Sequence, residues 1–280
     1  MQALQVPVQA GAHRWELIAR IPAAPRLRVL WLPALGVSAR HYLPLAEALA
    51  GRGAAVFLHE WRGAGSSNLR AGRDCDWGYR ELLAEDIPAS VAAMREALPG
   101  VATTRLGGHS LGGQLASCSI ALQPGYAQGL WLVGSGAPYW RAFPAPLRWG
   151  LPLVYRVLPW LARRAGALPG RRLGFGGNEA RGVIHDWART GLAGRYAARD
   201  LDVDLASAMA RARPEVSAVV LADDWMAPES SLRFLLGAMP EASASISRLS
   251  AAELGTAADH FSWMREPSAV AGLLADGQAR

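Results

Sequence analysis

A strand-like run, Thr104-Arg105-Leu106-Gly107-Gly108, meets a helix-like run beginning at Leu111, with only His109 and Ser110 left to make the turn. Few backbones can reverse a buried strand into a helix so quickly. The stretch Gly108-His109-Ser110-Leu111-Gly112 has the pattern Gly-x-Ser-x-Gly. In such a turn the serine takes a strained conformation that exposes its hydroxyl, and side chains two residues to either side would collide. Gly108 and Gly112 carry none. The helix N-terminus then aims backbone N–H groups at the space above the serine, where a negatively charged oxygen could be held. Five residues alone also fit a glycine-rich turn with a passive serine. The rest of the chain has to decide.

Read in order, the sequence alternates strands and helices. Residues 4–9 and 14–21 alternate apolar and polar around Gly11-Ala12, which predicts a hairpin. Residues 27–32 (LRVLWL) form the continuous apolar run of a strand buried on both faces. A helix with apolar Leu43, Leu45, Ala46 and Leu49 follows and stops at Gly51-Arg52-Gly53. Strands are predicted at 54–58, 104–108 and 130–133, and helices at 79–98 and 111–122. From 138 to about 196 the alternation breaks into a proline-punctuated stretch rich in tryptophan and arginine, with a glycine turn at Gly174-Phe175-Gly176-Gly177 before a helix near 179–190. Strands at 216–221 and 244–249 and helices at 230–236 and 267–274 then complete the pattern. This order predicts an α/β fold, a mostly parallel, doubly wound sheet of about eight strands interrupted by a helical insertion. The division expected is a core first part at 1–137, an inserted helical region at 138–200 and a core second part at 201–280. Functional groups in such sheets collect beyond the carboxyl ends of the strands.

Composition narrows the chemistry. The 280 residues are 51% hydrophobic and 19% charged, the profile of a globular chain. The net charge of +6 comes from arginine alone, since the chain contains no lysine, which excludes a lysine Schiff base or a lysine phosphate loop. The arginines are scattered among acidic residues, so no nucleic-acid partner is expected. Cys75 and Cys118 have neither disulfide nor zinc spacing, and no metal site is expected. The first residues lack a charged and then apolar leader, and no apolar run reaches membrane-spanning length, so a cytoplasmic location is expected.

A serine hydroxyl becomes a nucleophile when a base lies within hydrogen-bond reach and a third group orients that base. Of the six histidines, His109 adjoins the serine but should point away from it, and His13, His41 and His59 precede it in the chain. His185 lies in the insertion beside Asp186. His260 alone sits in a loop after the last predicted strand. For the orienting carboxylate, the strand 216–221 runs into Asp223-Asp224, either of which could serve or could cap a turn.

Taken together these segments resemble the α/β-hydrolase family. Pro33-Ala34-Leu35-Gly36 stands where that family usually has a His-Gly loop, and Glu60-Trp61-Arg62-Gly63-Ala64-Gly65-Ser66-Ser67 is similar to its Asp-x-Arg-Gly-x-Gly-x-Ser loop. The serine turn, the Asp-x-x-x-Pro spacing from Asp224 to Pro228 and the Asp259-His260 pair complete the likeness, and the insertion falls where the family carries a helical cap. The departures are Pro33-Ala34 for His-Gly and Glu60 for aspartate. The resemblance implies acyl transfer: Ser110 as nucleophile, His260 as base and Asp224 as orienting acid, with the N–H groups of Leu35 and Leu111 receiving the oxyanion. It implies no cofactor and a small acyl substrate, with hydrolysis of a carboxylic ester the expected reaction. An acyltransferase using the same residues and a non-catalytic binding protein on the same fold are the alternatives. Trp140, Trp149, Leu153 and Trp160 of the insertion are expected to line an apolar acyl pocket. Tryptophans alternating with arginines between 147 and 164 also fit a peripheral membrane contact, against the simpler reading of a cap underside with a basic rim.

Overall fold

A computed structural model describes residues 1–173 and 176–276. Ten strands are formed: β1 (Gln2–Ala10), β2 (His13–Ile21), β3 (Leu27–Leu32), β4 (Ala54–Leu58), β5 (Thr104–His109), β6 (Gly129–Val133), β7 (Leu168–Pro169), β8 (Asn178–Glu179), β9 (Glu215–Leu221) and β10 (Ser243–Leu249). Eight of them make one sheet in the order β1-β2-β4-β3-β5-β6-β9-β10, while β7 and β8 pair separately. Only β1 with β2 and β2 with β4 are antiparallel in the large sheet. The other ladders are parallel, as the strand–helix alternation requires. The predicted α/β sheet of about eight strands is therefore the observed fold.

β3, β4, β5 and β6 lie inside the sheet and are almost wholly buried; β4 and β6 are unbroken apolar runs to match, while β3 and β5 each keep a buried arginine, Arg28 and Arg105. β10 is one of the two edge strands, exposed over most of its length, and its sequence SASISRL is correspondingly weak in apolar residues. Helices cover both faces. One face packs Leu83, Ile87, Leu111, Leu115, Met209 and Leu235 against the sheet, and the other packs Tyr42, Leu45, Leu49, Trp263 and Leu274.

The helix expected over 79–98 is broken. A turn of π-helix at Leu82–Asp86 separates the short piece Tyr79–Glu81 from Ile87–Ala97. Pro88 has no N–H to return to residue 84, and the ladder widens there so that Ile87 N–H reaches back five residues to Leu82. A further helix at Leu205–Arg211, capped by Asp204, extends the chain's return to the sheet.

Between β6 and β9 the chain forms a helical layer. Its main helix is Leu147–Ala165, which passes through Pro152 and Pro159, and Arg181–Ala193 packs against it. Gly191 makes the approach possible, since a Cβ there would lie 2.5 Å from the Tyr155 ring. Of the glycine turn expected before a helix near 179–190, Gly174 and Phe175 lie outside the described residues.

Candidate active site

β5 ends at His109, and the next residue, Ser110, sits at φ 55° and ψ −120° before the helix Leu111–Leu122. This left-handed conformation is costly for a residue with a side chain and persists only when the surroundings enforce it. The enforcement is steric. A Cβ on Gly108 would lie 2.4 Å from the backbone of Gly112 and Gly113, and one on Gly112 would lie 2.0 Å from the Leu32 carbonyl oxygen. The two glycines thus let the helix start pass directly against β5 and β3.

The chain just after β9 carries Asp224, and the loop after β10 carries His260. Nδ1 of His260 lies 2.7 Å from Oδ2 of Asp224, and both residues are buried. The other Asp224 oxygen, Oδ1, accepts the N–H groups of Met226 at 2.9 Å and Ala227 at 3.0 Å. With one oxygen fixed by its own turn, the carboxylate offers the second to the imidazole. Asp223 is exposed and takes no part in this contact. The His260 loop is braced in turn: Asp259 Oδ1 accepts the N–H groups of Phe261 and Ser262, and Trp263 Nε1 donates to the His260 carbonyl.

Ser110 and His260 both face a cavity of about 530 Å³, within the usual size range of small-molecule sites. Leu35 and Leu111 line it too, and among the described residues neither of their backbone N–H groups has a backbone acceptor. Above them, the inner face of helix Leu147–Ala165 contributes Leu147, Leu151, Val154, Tyr155 and Leu158. Among the described residues, no aspartate or glutamate lines the cavity wall.

The expected lining of Trp140, Trp149, Leu153 and Trp160 is corrected by this geometry. None of the four borders the cavity. Trp149 and Leu153 are 65% exposed and Trp160 is 52% exposed, on the outer face of the helix, while Trp140 is half-buried beside Tyr139. The reason is helical phase: residues 147, 151, 155 and 158 share one face, and 149, 153 and 160 share the opposite one. The leucine–tyrosine stripe, free of interleaved arginines, was the signal that would have picked the inner face. Gln114, Trp225 and Met226 also line the cavity and were not singled out by the sequence.

The remaining histidines take other roles. His109 is buried, with Nδ1 2.8 Å from the Tyr42 hydroxyl, which itself accepts the Ala34 N–H at 2.9 Å. Burial, with some repulsion from His260, holds the His109 imidazole well below its ordinary range, so it stays neutral. His13 bridges Asp86 and Ser67, and Arg62 pairs with the same aspartate at 2.7 Å, which ties the glycine-rich loop after β4 to the neighbouring helix. Burial pushes the Asp86 carboxyl up, yet the bonds from His13 and Arg62 together outweigh it and leave it below the ordinary range. Glu60, at the position where aspartate was expected, accepts the Ala39 N–H at 3.0 Å. His185 lies 3.4 Å from Asp186, away from the cavity.

Residues 23–252 match the family described as serine aminopeptidase, S33. The chain belongs to this family of α/β-hydrolases. As such it is an α/β-hydrolase-type enzyme. Among solved structures, an esterase domain of a Rhodothermus marinus protein is 17% identical with a TM-score of 0.65, covering 99% of this chain and 98% of that one. A thermophilic esterase from Thermogutta terrifontis is 17% identical with a TM-score of 0.63, covering 100% and 98%. A monoacylglycerol lipase from Paleococcus ferrophilus is also 17% identical, with a TM-score of 0.62 over 93% and 99%. At these identities the likeness establishes the shared fold. No curated protein matches the sequence at a significant level.

Proposed function

We propose that this S33-family hydrolase cleaves carboxylic esters with an apolar acyl group, through an acyl-enzyme on Ser110. The observation that carries the reading is the 2.7 Å contact between His260 and Asp224 on a cavity that also holds the strained Ser110. Asp224 holds the imidazole with Nδ1 protonated, leaving Nε2 as the base that takes the serine proton during attack on the carbonyl carbon. The oxyanion is received by the N–H groups of Leu35 and Leu111, and His260 returns the proton to the departing alcohol. Water, activated by the same imidazole, then releases the acid and restores the serine.

The cavity lining favours an ester over a peptide N-terminus. An aminopeptidase has to recognise a charged α-amino group, for which a carboxylate is the ordinary partner. Here the described wall is mostly leucine, valine, phenylalanine and tryptophan, with Gln114 and Tyr155 its polar members beside Ser110 and His260, and it holds no aspartate or glutamate, which suits an uncharged apolar acyl chain. Residues 138–200 act in this reading as a cap, with helix Leu147–Ala165 as the cavity roof.

The test is a p-nitrophenyl ester assay and fluorophosphonate labelling of wild type and Ser110→Ala. Labelling and turnover are expected in the wild type, with both lost in the variant and its circular dichroism unchanged; loss of one such group costs about 10⁴-fold or more in kcat. Full labelling of Ser110→Ala would place the nucleophile elsewhere.

A further inference from the structure

Helix Leu147–Ala165 has two apolar faces, and only the inner one is used by the cavity. On the outer face Trp149, Leu153, Val157 and Trp160 follow one another at helical spacing, and all four are exposed. Large exposed side chains of this kind are uncommon on a solvated surface unless the patch has an occupant. Most of the exposed large apolar residues among those described belong to this helix or to the cavity rim. Val154, Leu173, Trp225 and Phe261 are the rim members, each exposed and each also lining the cavity. The outer stripe therefore runs one step round the helix onto the mouth of the site.

Charge identifies the occupant. Residues 138–178 contain seven arginines and not one aspartate or glutamate. Arg148, Arg156, Arg163 and Arg164 are exposed on the helix itself. The Arg148 guanidinium lies 5.5 Å from the Trp149 ring centre, and that of Arg164 lies 5.6 Å from the Trp160 ring centre. Apolar and indole side chains on one stripe, bordered by arginines only, match the boundary of an anionic bilayer, where indoles sit at headgroup depth and guanidinium groups meet phosphates. A second copy of the chain is a poor partner for this face, because it would set arginines against arginines. The helix does not cross the membrane: no helix among the described residues is long and apolar enough to do so.

We propose that the outer face of helix Leu147–Ala165 docks this protein on anionic lipid bilayers, with the cavity rim held against the surface. The helix lies in the interface plane with Trp149, Leu153 and Trp160 inserted and its arginines at the headgroups. Docking turns Val154, Leu173, Trp225 and Phe261 toward the lipid. An apolar ester dissolved in the bilayer could then reach the cavity without crossing water, a consequence that rests on the proposed esterase reading, whereas the docking itself does not.

Co-sedimentation with vesicles tests it. The wild-type chain is compared on pure phosphatidylcholine and on phosphatidylcholine containing phosphatidylglycerol, at low and high salt. Binding is expected on the anionic vesicles only, falling at least tenfold at high salt, since each arginine near a charged surface contributes about fivefold in partition. Replacing Trp149, Leu153 and Trp160 together by serine should reduce binding at least tenfold and leave turnover of a water-soluble ester unchanged. These positions are exposed, so folding is not at stake, and Arg156→Glu with Arg163→Glu is a second variant with the same expected loss. Absence of wild-type binding to anionic vesicles overturns the proposal, as does binding that both variants retain. A dimer seen by light scattering and dissolved by the triple substitution, with no vesicle binding, would make the face a self-association surface instead. Loss of ester turnover in Ser110→Ala with vesicle binding intact separates this proposal from the catalytic one.

Discussion

The Tyr42 hydroxyl lies 2.8 Å from Nδ1 of His109. Because the same oxygen accepts the Ala34 N–H, one buried phenol joins the residue before Ser110 to the residue before Leu35. Burial holds that phenol far above its ordinary range, so the hydroxyl keeps its proton and can donate to the imidazole while accepting the amide. Tyr42→Phe removes both bonds and leaves two buried polar groups unpaired, at a cost of about 1–3 kcal/mol each. Urea denaturation should show a loss of about 2–6 kcal/mol in all. With the Leu35 amide no longer braced, kcat for a soluble ester should fall about tenfold with KM little changed, a fraction of what losing a whole oxyanion donor costs. Wild-type kcat in the variant would separate this phenol from the anion-binding loop.

Asp223 and Asp224 are neighbours with opposite fates. Asp224 is buried against His260, and Asp223 is exposed. Asp224→Asn should lower kcat by about 10⁴-fold, because an amide in place of the carboxylate favours the wrong imidazole tautomer. Asp223→Asn should stay within about threefold of wild type, the ordinary range for an exposed change. Steady-state kinetics on the two purified variants decides between them, and the reverse result would move the acid to Asp223.

An apolar roof predicts a chain-length preference. From acetate to hexanoate, kcat/KM for p-nitrophenyl esters should rise about fourfold per methylene, the value of roughly 0.8 kcal/mol of buried surface, until the cavity is full. Leu151 is on the inner face of the roof helix. Leu151→Trp should shift the optimum toward shorter acyl groups while leaving acetate turnover nearly unchanged. A series that is flat in wild type contradicts an apolar acyl site.

Acid sensitivity follows from His59. Burial pushes its imidazole down to about 3, against a weaker opposing pull from Asp86. Between the ordinary value near 6.5 and that depressed one, the unfolded chain binds a proton that the native state refuses. This part of the stability is complete above about pH 6.5 and is lost as pH falls, at about 1.4 kcal/mol per pH unit. His59→Asn keeps a polar partner for Ser90, which lies 2.9 Å from Nδ1. Urea unfolding at pH 7.5, 6 and 5 should show a shallower dependence in the variant, by about one proton. Equal slopes would mean that His59 titrates normally in the native state.

Where sequence alone could be read, the governing forces were local. The collision at Gly108 is local, against the backbone of Gly112 and Gly113, so that glycine announces the turn without tertiary information, whereas Gly112 answers to the Leu32 carbonyl of β3. The buried strands β4 and β6 likewise declare themselves, because burial on both faces demands an unbroken apolar run. The widened turn at Leu82–Asp86 was hidden, since Pro88 lies past the start of an otherwise helical pattern. The helix Leu205–Arg211 is short and signalled mainly by its Asp204 cap. The roof of the cavity was misread for a different reason. Helix Leu147–Ala165 is apolar on two faces, and which one turns inward depends on what waits beneath it, a fact no window of sequence contains.

The order in which β5, β9 and the segment after β10 supply Ser110, Asp224 and His260 has a consequence for the protein as it is made. Synthesis runs from the N-terminus, and the serine turn can form long before its distant partners leave the ribosome. A chain halted or clipped short of His260 holds a strained hydroxyl facing no imidazole. In the proposed mechanism acyl chemistry thus waits on the last strand of the sheet, which makes the exposed edge strand β10 the gatekeeper of readiness. On that reading, fraying at that edge would silence the molecule before it unfolded it.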